Sequence, residues 1–430
     1  MPTGFFKPSE LKVKEPVSRT PQCGACGLYK TCKSPKMPYS GKGKRRILIV
    51  GEAPGEQEDK VGKQFVGTTG QLLEGTLRKL GINMREDCWL HNSLICRPPG
   101  NATPTDAQIR YCRPNLIRVI EELQPEIIIP LGSASVMSLI GWVWKDEVGP
   151  IGRWVGWRIP LQKLNAWVCP TWHPSYIARS DHKGKQNPVA KVIWEQHLSE
   201  IAKLSGRPWE KLPRYEKRIE RIYDPDQVAR IIRMFIDVGG FAAFDYETSM
   251  IKPDWPESQI VTASICMNGV QTIAFPFVGS AITAFKEFLR SKIKKIASNM
   301  KFEDRWSRRV LNVPVRNWFW DTMNNGHIHD NRRDITSLKF QSFVWLGTES
   351  HDHNIKEFLR AKNGERSNNI LRRIDLDQLL GYNGLDSLFE YETCVLQRKA
   401  LGYTNEGRDV SGITSPTLDR SLRGMARPSG

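Results

Sequence analysis

At 430 residues the chain is longer than one ordinary core needs, which predicts two domains. Lys and Arg outnumber Asp and Glu by 63 to 46, a net charge of +17, and an excess of that size points to a polyanionic partner, nucleic acid first. No stretch reaches the roughly 18 uninterrupted apolar residues that cross a bilayer. The opening MPTGFFKPSELKVKEP also lacks an apolar signal-peptide core, so a soluble, intracellular protein with no membrane partner is expected.

In chain order, Arg46 to Val50 followed by Gly51-Glu-Ala-Pro-Gly55 reads as a buried parallel strand entering a tight loop, with a helix at 70–77. The unit recurs at 126–132, which passes into an apolar helix near 135–140, and a third strand fits 166–170. Strands alternating with helices predict a covered parallel α/β sheet with ligands beyond the carboxyl ends of its strands. The charged, proline-containing run 206–223 reads as an interdomain linker. Asp224-Pro225 then opens a helix, 241–246 is a strand, and 259–266 with 270–277 pair as a hairpin about Asn268-Gly269. The second region is therefore expected to be a mixed sheet with helices packed on it. The divisions are 1–205, a linker and leading helix over 206–237, a second domain over 238–401, and a disordered tail over 402–430, rich in Gly, Ser, Arg and Pro.

Six of the nine cysteines fall between Cys23 and Cys112. In a reducing compartment such clustering favours metal ligation over disulfides. Cys23 and Cys26 offer two thiolates on one turn, and Cys96 and Cys112 two more from a long loop. Spacing alone leaves zinc and an iron-sulfur cluster equally open, and Cys32 is a further candidate.

The segments Gly51-Glu-Ala-Pro-Gly-Glu-Gln-Glu-Asp59, Gly62-Lys-Gln-Phe-Val-Gly67, Asn92-Ser-Leu-Ile-Cys-Arg-Pro-Pro99 and His173-Pro-Ser together resemble the family 4 uracil-DNA glycosylases, over roughly 20–200. The resemblance implies a uracil-DNA glycosylase-like parallel α/β domain with a [4Fe-4S] cluster on Cys23, Cys26, Cys96 and Cys112. A glycosylase must turn its nucleotide out of the stack into a pocket. By the family pattern Phe65 supplies a stacking face, Asn92 an amide for the uracil edge, and His173 a donor to O2 that stabilises the departing base. Glu52 and the loop of Gly51, Ala53, Pro54 and Gly55 would lie against the base and the attacking water, and Glu58 is a further pocket carboxylate. Arg179 is expected on phosphate. Ala53 stands where the best-known glycosylase family has a water-activating aspartate.

Farther on, Phe244-Asp-Tyr-Glu-Thr248 places Asp245 and Glu247 on one side of a strand, because side chains alternate. Asn299-Met-Lys-Phe-Glu-Asp304 begins a helix, and Tyr382-Asn-Gly-Leu-Asp386 lies near the start of another. Carboxylates from three distant segments suit two hard divalent ions acting on a phosphodiester. Their order resembles the 3′-5′ proofreading exonuclease domain of the DNA polymerase I family, over roughly 238–400. The resemblance implies an RNase H-like mixed α/β fold, with Asp245, Glu247 and Asp386 as ligands of two Mg2+ or Mn2+ ions and Tyr382 orienting water. Glu303 replaces the usual middle aspartate, and Asp321 fits as a helix-start residue.

About thirty residues remain after this region, too few for a polymerase palm, so the chain looks like the front of a phage polymerase that carries a glycosylase-like domain. That would place it in a bacterial cell or phage-infected host, acting on uracil-containing DNA and 3′ ends beside a separately encoded polymerase. Two alternatives stand: a DNA-binding replication accessory with one or both sites inactive, and a glycosylase for a modified pyrimidine. Lys42, Lys44, Arg45 and Arg46, and Lys292, Lys294 and Lys295, are candidate phosphate-tracking clusters.

Overall fold

The computed structural model describes residues 20–182, 188–349, 355, 358 and 371–403. The tail expected over 402–430 lies outside them beyond 403. The chain forms two compact units: Met1–Gly156 with Cys169–Lys203, and Trp157–Val168 with Leu204–Gly430.

The first unit is built on β1 (Ile47–Gly51), which is buried along its whole length. Parallel partners on both sides account for that uniform apolar run: β2 (Cys88–Asn92) pairs Gly51 with Asn92, and β3 (Ile127–Pro130) pairs Val50 with Pro130. Within this unit the strand order is β2-β1-β3. The parallel neighbour β2 was not expected as a strand. The stretch expected as a third parallel strand, 166–170, instead holds β5 (Ala166–Val168), which belongs to the second unit and pairs antiparallel with β4 (Ile159–Leu161). Helices Thr68–Lys79 and Gly132–Val143 follow their strands as expected. Helix Asp106–Leu123 starts on a capping box in which Thr105 and Gln108 satisfy each other's backbone N–H.

In the second unit the sheet runs β11-β10-β7-β8-β9-β6. The strands β7 (Phe241–Thr248), β8 (Ile260–Met267) and β9 (Gln271–Pro276) are antiparallel in turn, while β10 (Lys294–Ala297) lies parallel to β7 and β11 (Trp318–Asp321) to β10. This is a mixed sheet, as expected for the second region. Asn268 and Gly269 both take positive φ, 49° and 67°, in a turn that Val270 N–H closes onto the Met267 carbonyl at 3.0 Å, and the register pairs Met267 with Gln271, so the loop has three residues where two were expected. The run expected to be a linker differs: Ile219–Arg221 forms β6, parallel to β9, and Trp209 and Tyr215 are buried.

Alternation along β7 sorts its side chains. Ala242, Phe244 and Tyr246 join the core beneath helices Pro225–Val238, Ser280–Arg290 and Met300–Leu311. Asp245 and Glu247 face the other way, toward helix Leu376–Ala400. That helix lies close on the sheet because Gly384 has no side chain: a Cβ there would stand 2.5 Å from Ile219 Cγ2.

Candidate functional sites

The first site gathers at the carboxyl ends of β1, β2 and β3. A Cβ on Gly51 would fall 2.4 Å from Asn92 Oδ1 and 2.9 Å from Phe65 Cζ. Gly51 is thus the bare floor on which the amide and the ring meet. Phe65 is buried and sits at φ +54°, an uncommon conformation for an aromatic residue, held by two Arg85 bonds to Gln64 and Phe65 carbonyls at 2.8 Å each.

His173 follows the isolated bridge between Leu131 and Thr171, and Gly132, at φ +83°, makes room for its Cβ. The Ser175 N–H donates to His173 Nδ1 at 3.2 Å, with Ser175 Oγ 2.8 Å away. A backbone N–H can only donate, so Nδ1 accepts and the ring proton lies on Nε2. Burial, helped by the charge of Arg179, lowers the pKa of His173 from 6.5 to about 4 against the opposing pull of Glu58. At neutral pH this is a neutral imidazole with one N–H to offer.

The two acidic candidates have different surroundings. Burial raises the pKa of Glu52, opposed by Arg179. Glu58 Oε1 accepts Gly67 N–H at 2.8 Å, and its Oε2 stands 2.6 Å from where a Gly55 Cβ would be. Glu58 therefore clamps the Gly55 and Gly67 loops together. Arg179 is exposed on helix Pro174–His182, and Ala53 and Pro54 lie in the loop after β1. Asp59, which sequence reasoning passed over, is 2% exposed and accepts Lys33 N–H at 3.1 Å and Ser34 N–H at 2.8 Å. It ties the loop after Cys32 to helix Glu56–Val61.

Cys23, Cys26, Cys96 and Cys112 line one cavity with Leu28, Leu94, Ile95 and two tyrosines. Cys112 comes from helix Asp106–Leu123, where a loop was expected. Lys36 N–H donates to Cys96 Sγ at 3.2 Å and Asn115 Nδ2 to Cys112 Sγ at 3.5 Å, contacts that suit thiolates. Cys32 does not line that cavity but lies against Cys96 and hydrogen-bonds with it.

In the second unit Asp245, Glu247 and Asp386 bring ligand oxygens within 4.8 Å of one another. Asn383, unforeseen in sequence, aligns them: Thr262 Oγ1 donates to its Oδ1 at 3.1 Å, and its Nδ2 donates to Asp245 Oδ2 at 2.7 Å. Burial first, then mutual repulsion, raises the pKa values of Asp245 and Glu247 well above the carboxylate range. Tyr382 hydrogen-bonds with Asp386 and feels all three carboxylates, which with burial hold its hydroxyl protonated. Glu303 is 1% exposed, within reach of Asp245 but outside the triad. Asp321 is a helix-start residue: it accepts Asn299 and Met300 N–H at 3.0 and 3.1 Å and Met323 and Asn324 N–H at 2.9 and 3.2 Å.

The candidate basic clusters fare unequally. Lys42 and Lys44 pair with Glu86 at 2.8 and 2.7 Å, and Lys295 is fully buried, donating to Ser291 O at 2.8 Å, with burial lowering its pKa to about 7. Lys295 is therefore no surface phosphate contact.

The Uracil DNA glycosylase superfamily model matches residues 38–197. A type-4 uracil-DNA glycosylase of Archaeoglobus fulgidus is 43% identical over 190 residues, covering 43% of this chain and 89% of that protein. Its namesake from Saccharolobus solfataricus is 35% identical over 190 residues, 44% of this chain and 84% of that one. A DNA polymerase of Bacillus phage SP01 is 27% identical over 350 residues, 73% of this chain but 36% of the polymerase. The chain thus spans about a third of that relative's length. Relatives matched over most of their own length, on the segment that carries the Gly51, Asn92 and His173 pocket, show that the chain belongs to the type-4 uracil-DNA glycosylases.

Proposed function

We propose that the pocket at the ends of β1, β2 and β3 excises uracil from DNA, and that the carboxylate triad of the second unit hydrolyses phosphodiesters at DNA 3′ ends. The observation that carries the first is the tautomer of His173, a neutral ring with its proton on Nε2. Phe65 stacks on the extruded base and the Asn92 amide reads its edge. His173 Nε2–H then donates to uracil O2 as the C1′–N1 bond breaks and its electron pair passes to the base. Water adds to C1′, in a space bounded by Glu52, Ala53 and the loop to Gly55, and the proton it releases passes to solvent and neutralises the departed uracil anion, while Glu58 keeps that loop in register with Phe65 and Arg179 takes phosphate. Cys23, Cys26, Cys96 and Cys112 would hold a [4Fe-4S] cluster, which when bound would supply iron–thiolate bonds fastening three segments around Leu94 and Ile95.

For the second site, Asp245, Glu247 and Asp386 would hold divalent ions, Mg2+ or Mn2+, with Glu303 behind them. Such ions supply a water of lowered pKa and charge stabilisation at the leaving oxygen. Tyr382, kept protonated, orients the attacking water by hydrogen bonding, and Asn383 fixes Asp245. The shared sequence with a phage DNA polymerase supports a place at replicating DNA beside a polymerase, in the cytoplasm of a bacterium or infected host.

One oligonucleotide with a single uracil and a labelled 5′ end tests both halves. In EDTA an alkali-labile site should form without shortening; with Mg2+ or Mn2+ the 3′ end should shorten. His173→Ala should abolish only the first and Asp245→Ala only the second. Uracil left in place by the wild-type chain in EDTA would refute the excision assignment, and a 3′ end that stays intact with metal the nuclease one.

A further inference from the structure

Three residues after His173, the first unit shows a large aromatic side chain to solvent: Tyr176 is 43% exposed. Its N–H donates to the His173 carbonyl at 2.9 Å, so the two residues share the first turn of helix Pro174–His182. Three positions farther on, the same helix carries Arg179, also exposed, and residues three apart lie on one helix face. The charge of Arg179 acts on both Glu52 and His173, which sets this face at the mouth of the pocket. Tyr176 is therefore a rim residue, beside the opening through which a nucleotide must pass.

The ring is braced. Trp172 lies against it with centroids 5.8 Å apart and planes at 38°, and His197 lies against Trp172 at 5.6 Å and 36°. Thr171 Oγ1 stands 3.2 Å from His197 Nδ1, and Trp194 Nε1 donates to the Trp172 carbonyl at 3.1 Å. A single exposed aromatic residue is ordinary on a protein surface. One packed on two further rings gives up rotamer freedom on folding, so a ligand that stacks on it costs little more entropy. A nucleotide that leaves a duplex for a pocket opens a gap in the base stack, and that unstacking opposes extrusion. A flat side chain at the rim fits the gap, restoring stacking without reading the identity of the neighbours.

We propose that Tyr176 enters the base stack where the uracil has left it, stacks on the flanking base pair and so holds the nucleotide in the pocket. The proposal rests on reading the pocket as a uracil-excision site. Tyr176 touches DNA but not the breaking bond, and it counts most where a paired stack must be repaired.

Single-turnover excision by the full chain in EDTA tests this, on one uracil-containing oligonucleotide presented as a duplex with uracil opposite adenine and as a single strand. Tyr176→Ala should slow the duplex reaction about 10- to 100-fold, a loss at least roughly tenfold greater than on the single strand. Tyr176→Phe, which keeps the ring and drops the hydroxyl, should recover the duplex rate. Both variants should melt as wild type does, since the side chain is exposed. An equal loss on the two substrates would make Tyr176 a support for the pocket and overturn the proposal. A duplex rate that Tyr176→Ala leaves intact, or a Phe variant as slow as the Ala one, would overturn it too. Uracil left by wild type in both substrates would sink the excision reading itself, and the proposal with it.

Discussion

His173 stays neutral because protonating it would bury a charge, and this sets the pH behaviour of the first site. The excision rate should stay level from pH 8 to about 5 and fall only as pH nears 4, as single-turnover rates would record. His173→Ala should cost roughly 100- to 1000-fold in that rate, the usual loss for one donor at a developing anion. His91 is likewise held at about 4 by burial. Both pKa values lie below the 6.5 of the unfolded chain, which takes up protons first as the solution acidifies. Their stabilising contribution is therefore complete above about 6.5 and lost toward 4, so the urea midpoint should drop across that window. Gly51 allows a sharper test. A methyl there would strike Asn92 and Phe65, so Gly51→Ala should lower excision by about 100-fold while DNA binding and melting temperature hold.

Elements divide into those whose residue identities announce them and those that depend on partners. The strand at 47–51, the Asn268-Gly269 hairpin and the Asp224-Pro225 helix start were legible because apolar runs, turn chemistry and caps are local signals. β2 was hidden in Cys88-Trp-Leu-His-Asn92, too short and mixed to announce itself before β1 lies beside it. β6 was hidden for the opposite reason: Glu220 and Arg221 are exposed, so only its backbone ladder to β9 makes it a strand. Among site residues, Cys23, Asp245 and Asp386 stood out by type and spacing, whereas Asp59 and Asn383 look like ordinary polar positions on helices. Only packing reveals them as buried. Asp321 acts at this scale, since its carboxylate starts two helices at once, one of them carrying Glu303. Asp321→Ala should cost about 1–3 kcal/mol in urea unfolding and depress nuclease activity more than excision.

Across the whole molecule the two chemistries draw on unlike donors, soft thiols in one unit and hard carboxylates in the other, so metal manipulation should separate them. Repulsion among Asp245, Glu247 and Asp386 is of the kind a bound cation would relieve. Mn2+ should therefore raise the melting temperature of the second unit, and EDTA should lower it again; a calorimetric scan that does not respond to either would count against a metal site there. No helix among the described residues is long and apolar enough to cross a membrane.

The second unit also takes in Trp157–Val168, far upstream of its main body. Within it Gln162 Nε2 donates to the Leu346 carbonyl at 2.7 Å across 184 positions, and Trp157 packs edge-on against Trp345. A ribosome adding about 5–20 residues per second leaves this hairpin waiting roughly 10–40 s for those partners to emerge. During vectorial synthesis Trp157 thus lacks its Trp345 partner throughout that interval, and it is then that a nascent chain of this protein gains most from a chaperone.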